Sequence, residues 1–91
     1  MHHRVRDFDA WKQVYDSVGE MQRAGGVREQ AVLRAPDDPG MVVVVHTFDD
    51  RAAAERFFEE NPDLRDAMGR AGVELDSVKL ELLEDVSRGR I

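Results

Sequence analysis

The run Met41-Val42-Val43-Val44-Val45 constrains the fold of this chain more than any other feature of the sequence. Four consecutive β-branched residues favour a β-strand. Because successive side chains of a strand point to opposite faces, this strand is apolar on both sides, and both sides must be covered. The preceding segment Pro36-Asp37-Asp38-Pro39-Gly40 has the composition of a turn. This turn is therefore expected to join a strand over Val27–Ala35 to the valine strand, Met41–Phe48.

Residues 2–6 predict a short first strand, and the periodicity changes to that of an amphipathic helix after it. Asp7 is suited to cap the helix, and Gly25-Gly26 is a typical helix end. The apolar stripe recurs at three- and four-residue steps and comprises Phe8, Trp11, Val14, Tyr15, Val18 and Met21.

Two more helices and a last strand are predicted after the valine strand. Asp49 is expected to cap a helix that runs to Asn61. Asn61-Pro62 has the pattern of an N-cap followed by proline at the first helical position, which predicts a short helix over Pro62–Ala71. Val78, Leu80 and Leu82 alternate with polar residues and predict the final strand.

The resulting order predicts an α+β, ferredoxin-like βαββαβ sandwich with a four-stranded antiparallel sheet. Residues 1–86 are expected to form one domain, with residues 87–91 as a C-terminal tail. Since both crossover helices fall on the same face of the sheet, the other face of the valine strand stays uncovered. A large uncovered apolar face is unfavourable in a monomer, so a homodimer that pairs two sheets face to face is predicted.

Composition narrows the classes of function. The net charge is −6, which argues against nucleic acid or an anionic membrane as the main partner. The chain has no cysteine, which excludes disulfides and thiolate chemistry. Its N-terminus has no apolar signal segment and no apolar run of membrane-spanning length. A cytoplasmic location is therefore expected.

Three segments carry a resemblance to a known family. The segment from His3 to Lys12, the segment Arg34-Ala35-Pro36-Asp37-Asp38-Pro39 and the segment from Asn61 to Met68 resemble small dimeric α+β barrel proteins related to the antibiotic-biosynthesis monooxygenases. The resemblance covers residues 3–84. It bears on the fold more than on the activity, because one fold hosts many functions.

The resemblance implies a dimer with a small apolar pocket between helices and sheet in each subunit. Some relatives oxidise reduced aromatic polyketides with O2 and no cofactor, others degrade haem, and many have no assigned role. This chain has Phe48 where relatives often carry tryptophan. It has no matching asparagine in the first strand and no histidine on the helix that would supply a haem ligand. Haem degradation is therefore not expected, and neither a cofactor nor a metal is predicted.

The candidate site combines one polar residue with an aromatic wall. His46, inside the valine strand, is the candidate general base for a phenolic substrate. The alternative, a neutral hydrogen-bonded histidine at the end of the strand, is favoured over it because a lone histidine indicates no particular reaction. Trp11 and Tyr15 lie four residues apart on one helix face and form either a ligand-binding wall or part of the core. The full set of predicted ligand-binding residues is Trp11, Tyr15, Phe48, Phe57, Phe58 and Met68.

The expected function is binding of an apolar or aromatic small molecule, with cofactor-independent oxidation as a candidate activity. The alternatives are a non-catalytic dimer that binds a metabolite or another protein, and a cyclase-like or isomerase-like catalyst. Met1-His2-His3 also has the spacing for square-planar Cu(II) or Ni(II) binding through the terminal amine, two amides and an imidazole, or it is simply the end of a strand.

Overall fold

A computed structural model describes all 91 residues and contains four strands and four helices. The chain order is β1 (His2–Val5), α1 (Phe8–Ser17), α2 (Gly19–Ala24), β2 (Glu29–Ala35), β3 (Asp38–Thr47), α3 (Arg51–Glu59), α4 (Pro62–Arg70) and β4 (Val73–Lys79).

The strands form one antiparallel sheet in the order β2-β3-β1-β4. Each strand–helix–strand connection therefore passes over one intervening strand, which is compatible with the predicted ferredoxin-like architecture. The α+β class and the four-stranded antiparallel sheet are confirmed. The register places His3 opposite Val42 and Val32 opposite Val44, so these side chains share one face of the sheet.

The long first helix was predicted as one element, but the structure divides it at Val18. This residue has φ −108° and ψ 20°, outside helical geometry, and it caps both α1 and α2. The Ser17 hydroxyl donates to the carbonyl of Val14 at 2.6 Å, an arrangement that competes with helical hydrogen bonding. Gly19 follows at once, and the low helix propensity of valine and glycine explains the break. The predicted caps at Asp7 and Gly25 are present.

Two boundaries near the valine strand also differ from prediction. The turn is confined to Pro36 and Asp37, and β3 already begins at Asp38. The predicted cap Asp49 instead binds Arg28, at 2.9 Å. Asp50 caps α3 by accepting the backbone N–H of Ala53 at 2.8 Å.

The last strand lies earlier than predicted. Gly72, at φ +76°, ends α4 and lets the chain enter β4 directly at Val73, which is buried opposite Val5. The strand ends at Lys79 because its partner there, His2, is the first residue of β1. Leu80 and Leu82 therefore lie beyond the sheet, although their alternation predicted a strand. The segment after Lys79 forms no helix or strand.

The two faces of the sheet have different surroundings. On the inner face, β-strand side chains pack with Trp11 and form the main buried cluster. On the outer face, apolar side chains stay accessible: Leu33 is 56% exposed and Val45 is 48% exposed. The prediction that helices cover only one face of the valine strand is therefore confirmed within a single chain. No helix of the structure has the length and apolar character needed to cross a membrane.

Candidate functional site

A small cavity lies between the inner face of the sheet and helices α1 and α4. Its volume is about 40 Å³, and eleven of its fourteen lining residues are hydrophobic, so a polar group in its wall stands out. The apolar part of the lining includes Trp11, Val14, Val44, Leu64, Ala67 and Met68. The other three lining residues are Gln22 from α2 and the histidines His3 and His46 from the sheet, and Tyr15 from α1, one of the eleven, adds a hydroxyl group.

Four rings form a row along one side of this cavity. Ring centroids are 5.5 Å apart between His3 and Trp11, and 5.0 Å apart between Trp11 and Tyr15, which are stacked. The Tyr15 and His46 rings are nearly parallel, with centroids 6.3 Å apart. The row begins at β1 and ends at β3, so the sheet fixes its two histidines and α1 supplies the rings between them.

His46 is held by a short hydrogen-bond chain. The Tyr15 hydroxyl lies 3.2 Å from Nε2 of His46 and donates to Oε1 of Gln30 at 2.9 Å. With its single proton given to Gln30, the Tyr15 oxygen accepts the Nε2–H of His46. Nδ1 of His46 then carries a lone pair, and this buried atom has no hydrogen-bond partner.

Burial sets the protonation of both Tyr15 and His46. Desolvation lowers the pKa of His46 to about 4 and raises the pKa of Tyr15 above its usual value, since burial penalises the charged form of each group. At neutral pH the site therefore presents an uncharged imidazole beside an uncharged phenol. Such a pair can accept and donate hydrogen bonds without a buried charge.

His3 is the site residue that the sequence did not single out as ligand-binding. His3 is 0% exposed, and neither ring nitrogen makes a hydrogen bond of acceptable geometry, although the Met1 backbone is near enough to oppose part of the fall in its pKa. Burial lowers its pKa, so it too is neutral at pH 7. Strand alternation in the sequence could have identified it, because His3 and Val5 share the inward face of β1, where a polar side chain is unusual.

The burial of His3 disagrees with square-planar metal binding at the N-terminus. That arrangement needs the His3 imidazole beside its own backbone amides and the terminal amine. In the structure β1 pairs on both sides within the sheet, and the Met1 ammonium donates to the carbonyl of Val44 at 2.6 Å. No three His, Cys, Asp or Glu side chains are grouped in a way that could hold a metal ion.

The predicted ligand-binding residues divide into two groups. Trp11, Tyr15, His46 and Met68 line the cavity. Phe48, Phe57 and Phe58 do not; they form an aromatic cluster around His46, with ring centroids 5.6 to 6.3 Å from the imidazole. They therefore pack against His46 and do not form the cavity wall.

The cavity is small for the ligands that the sequence analysis considered. One water occupies about 10–15 Å³ of such space, and a cavity that binds benzene is nearer about 150 Å³. A volume of about 40 Å³ therefore holds a few atoms. An aromatic ligand requires movement of a lining side chain, and Met68 is suited to this because methionine is unbranched and only half-buried here.

No family model matches the sequence, and no curated protein or solved structure matches this chain.

Proposed function

We propose that this protein binds a small, largely apolar molecule carrying a hydroxyl group, in the cavity between α1, α4 and the sheet. The observation that carries the proposal is a neutral, buried imidazole, that of His46, with an unpartnered nitrogen in a mainly apolar cavity wall. Unsatisfied buried polar groups are rare because they cost stability. A ligand hydroxyl that donates to His46 would remove that cost while its apolar body contacts Trp11 and Val44.

Binding by this route needs an opening of the cavity. Met68 is the most adaptable part of the wall, and a change of its rotamers would extend the space beside Ala67 and Ala71, both of which are small. The Trp11 and Tyr15 rings, which stack on each other and both line the cavity, would then contact an aromatic ligand. Aromatic alcohols of one or two rings are therefore the expected ligand class.

Filling the cavity from α4 is expected to abolish binding. Ala67→Val adds two methyl groups to a buried lining position, and we expect it to weaken 2-naphthol binding at least about 10-fold, with a change in stability of only about 1 kcal/mol. Trp11 is the only tryptophan and lines the cavity, so its fluorescence reports 2-naphthol binding directly.

Ala52→Val is the matched control, because Ala52 is exposed on α3 and does not line the cavity. The control should bind 2-naphthol as the wild type does. Equal weakening by both substitutions, or undiminished binding to Ala67→Val, would place the ligand elsewhere.

We further propose that two copies pair through their outer sheet faces in a dimeric α+β barrel. The apolar patch formed by Ala31, Leu33, Met41, Val43 and Val45 supports this pairing. Exposed apolar patches of this kind are typical of interfaces. The resemblance to the antibiotic-biosynthesis monooxygenases agrees with this assembly and with a cytoplasmic protein.

Leu33→Glu is expected to dissociate this dimer, because it places a charge in the centre of the paired faces. Sedimentation velocity at micromolar concentration should give a dimer for the wild type and a monomer for the variant. Ala52→Glu, on the helix side of the sheet, should remain dimeric. A monomeric wild type would contradict the assembly.

A second candidate is cofactor-independent oxidation of a bound phenol, with His46 as the base. The neutral imidazole beside Tyr15 supports this role, whereas its pKa of about 4 makes it a weak acceptor for a phenolic proton. Oxygen uptake with anthrones and dihydroxynaphthalenes, lost in His46→Gln, would identify an oxygenase. Absence of uptake with retained 2-naphthol binding would identify a non-catalytic binding protein.

A further inference from the structure

We propose that His3 forms a second polar end of the cavity, so that the preferred ligand is an elongated two-ring molecule with a hydroxyl at each end. This inference rests on the binding function proposed above and narrows its ligand class. His46 receives one hydroxyl and His3 receives the other, with the apolar body of the ligand between them.

The His3 side chain is a buried polar group without a hydrogen-bond partner. It is fully buried, lines the cavity, and has no partner at either ring nitrogen. Its neighbour in the ring row, Trp11, lies with its ring centroid 5.5 Å away and tilted by 48°, and it makes no hydrogen bond to His3. An apolar residue of similar size would fill this position at lower cost. An imidazole at this position is explained if a bound ligand forms a hydrogen bond with one of its ring nitrogens.

The distance between His3 and His46 sets the length of the ligand that can bind both. His3 pairs with Val42, and His46 lies four residues further along β3 on the same face, which corresponds to about 13 Å along the strand. Side chains on one face of a sheet stand roughly parallel to one another, so the two imidazoles are separated by about the same distance, and two hydrogen bonds of ordinary length leave roughly 7 Å between the ligand's two oxygen atoms. This span suits hydroxyls on opposite ends of a fused two-ring system better than those on a single ring.

The cavity wall between His3 and His46 is lined by aromatic rings and small side chains. Trp11 and Tyr15 stack on each other in the ring row from His3 to His46, and both line the cavity with aromatic surface. Ala67 and Ala71, one helical turn apart, line the same cavity with small side chains. A flat ligand can therefore lie along the row once Met68 has moved.

The experiment compares 2,6-dihydroxynaphthalene with 2-naphthol by isothermal titration calorimetry. The wild type should bind the diol about 10-fold more tightly, which is the usual effect of one net hydrogen bond. His3→Leu should reduce diol affinity to that of 2-naphthol and leave 2-naphthol affinity unchanged. His2→Leu is the matched control, since His2 lies on the opposite face of β1, and it should keep the preference.

Stability of the ligand-free protein gives a second readout. Removing an unsatisfied buried imidazole should raise the Tm of His3→Leu by about 5 °C relative to the wild type. A lowered Tm would show that His3 is satisfied within the folded chain and would overturn the inference. If His3→Leu does not fold, NMR shifts of the His3 ring nitrogens in the wild type decide, because they should change with the diol and not with 2-naphthol.

Equal affinity of the wild type for the diol and 2-naphthol would overturn the role of His3 but leave the proposed function in place. A diol preference that survives in His3→Leu would do the same. Failure of both compounds to bind the wild type would overturn the proposed function and this inference together.

Discussion

Replacing Phe57 by alanine is expected to cost about 3–5 kcal/mol of the free energy of unfolding, the usual result for a buried phenylalanine. Phe57 is 2% exposed, and its ring lies 5.1 to 5.6 Å from those of Phe48, Phe58 and His46. It also lies against Gly25, where an added Cβ would be only 2.5 Å from the Phe57 ring. Alanine would leave a cavity that this tight surrounding cannot fill. Urea unfolding followed by far-UV circular dichroism measures the loss.

Phe58→Ala is the matched control for this prediction. Phe58 is the next residue on α3 and only half-buried, so its truncation should cost about 1–2 kcal/mol. Because Phe57 does not line the cavity, a stable Phe57→Ala protein with impaired 2-naphthol binding would contradict its role as a core residue. Since small domains have a total stability of about 5–15 kcal/mol, the loss expected for Phe57→Ala is a large share of the total and should lower the urea midpoint clearly.

Acidification from pH 6.5 to pH 4 is expected to remove about 3 kcal/mol of stability through His46 alone. The folded protein holds the pKa of His46 at about 4, against 6.5 for the free side chain. In this interval the unfolded chain binds the proton and the folded chain does not, so falling pH favours unfolding. The contribution is fully present above pH 6.5 and is lost by pH 4. His3 adds to the loss in the same direction because burial lowers its pKa as well.

His46→Gln should flatten the dependence of stability on pH between 6.5 and 4, whereas His2→Gln should retain it. Chemical denaturation at a series of pH values gives the slopes. Ion-paired carboxylates such as Asp38 and Asp49, whose pKa values their arginine partners lower, begin to lose their contribution only below about pH 5, and they do so equally in the wild type and in both variants. An unchanged slope in His46→Gln would show that His46 is solvated in the folded protein.

Local sequence was sufficient to predict the starts of α1 and α4 and the hairpin, but not the starts of α2 and α3. Asp7 and Asn61 cap their helices as predicted, because a short polar side chain can reach nearby backbone N–H groups without any tertiary contact. The Val27–Ala35 and Met41–Phe48 segments form adjacent strands because their alternation and the intervening turn are properties of neighbouring residues. These signals were also enough for the order of strands and helices.

The site was predicted in part for the same reason. Trp11 and Tyr15 share a face of α1 because of helical periodicity, and His46 shares a face with Val44 because of strand alternation. Trp11, Tyr15 and His46 line one cavity because in this fold class α1 packs on the inner face of the sheet. The sequence could not show that Phe48, Phe57 and Phe58 form a separate aromatic cluster and do not line the cavity. This depends on how α3 and α4 pack beside each other.

The sequence by itself determined that one strand is apolar on both faces, that helices cover one of them, and that Asp7 and Asn61 each cap a helix, because these are effects of spacing and local hydrogen bonding. Only the tertiary structure decided that β4 ends at Lys79, where its partner strand begins, and that His3 is buried without a hydrogen-bond partner. Both depend on contacts between residues more than 70 positions apart or on how closely the core packs. No local pattern encodes such contacts, since the chain around each residue is compatible with several pairings until the sheet forms.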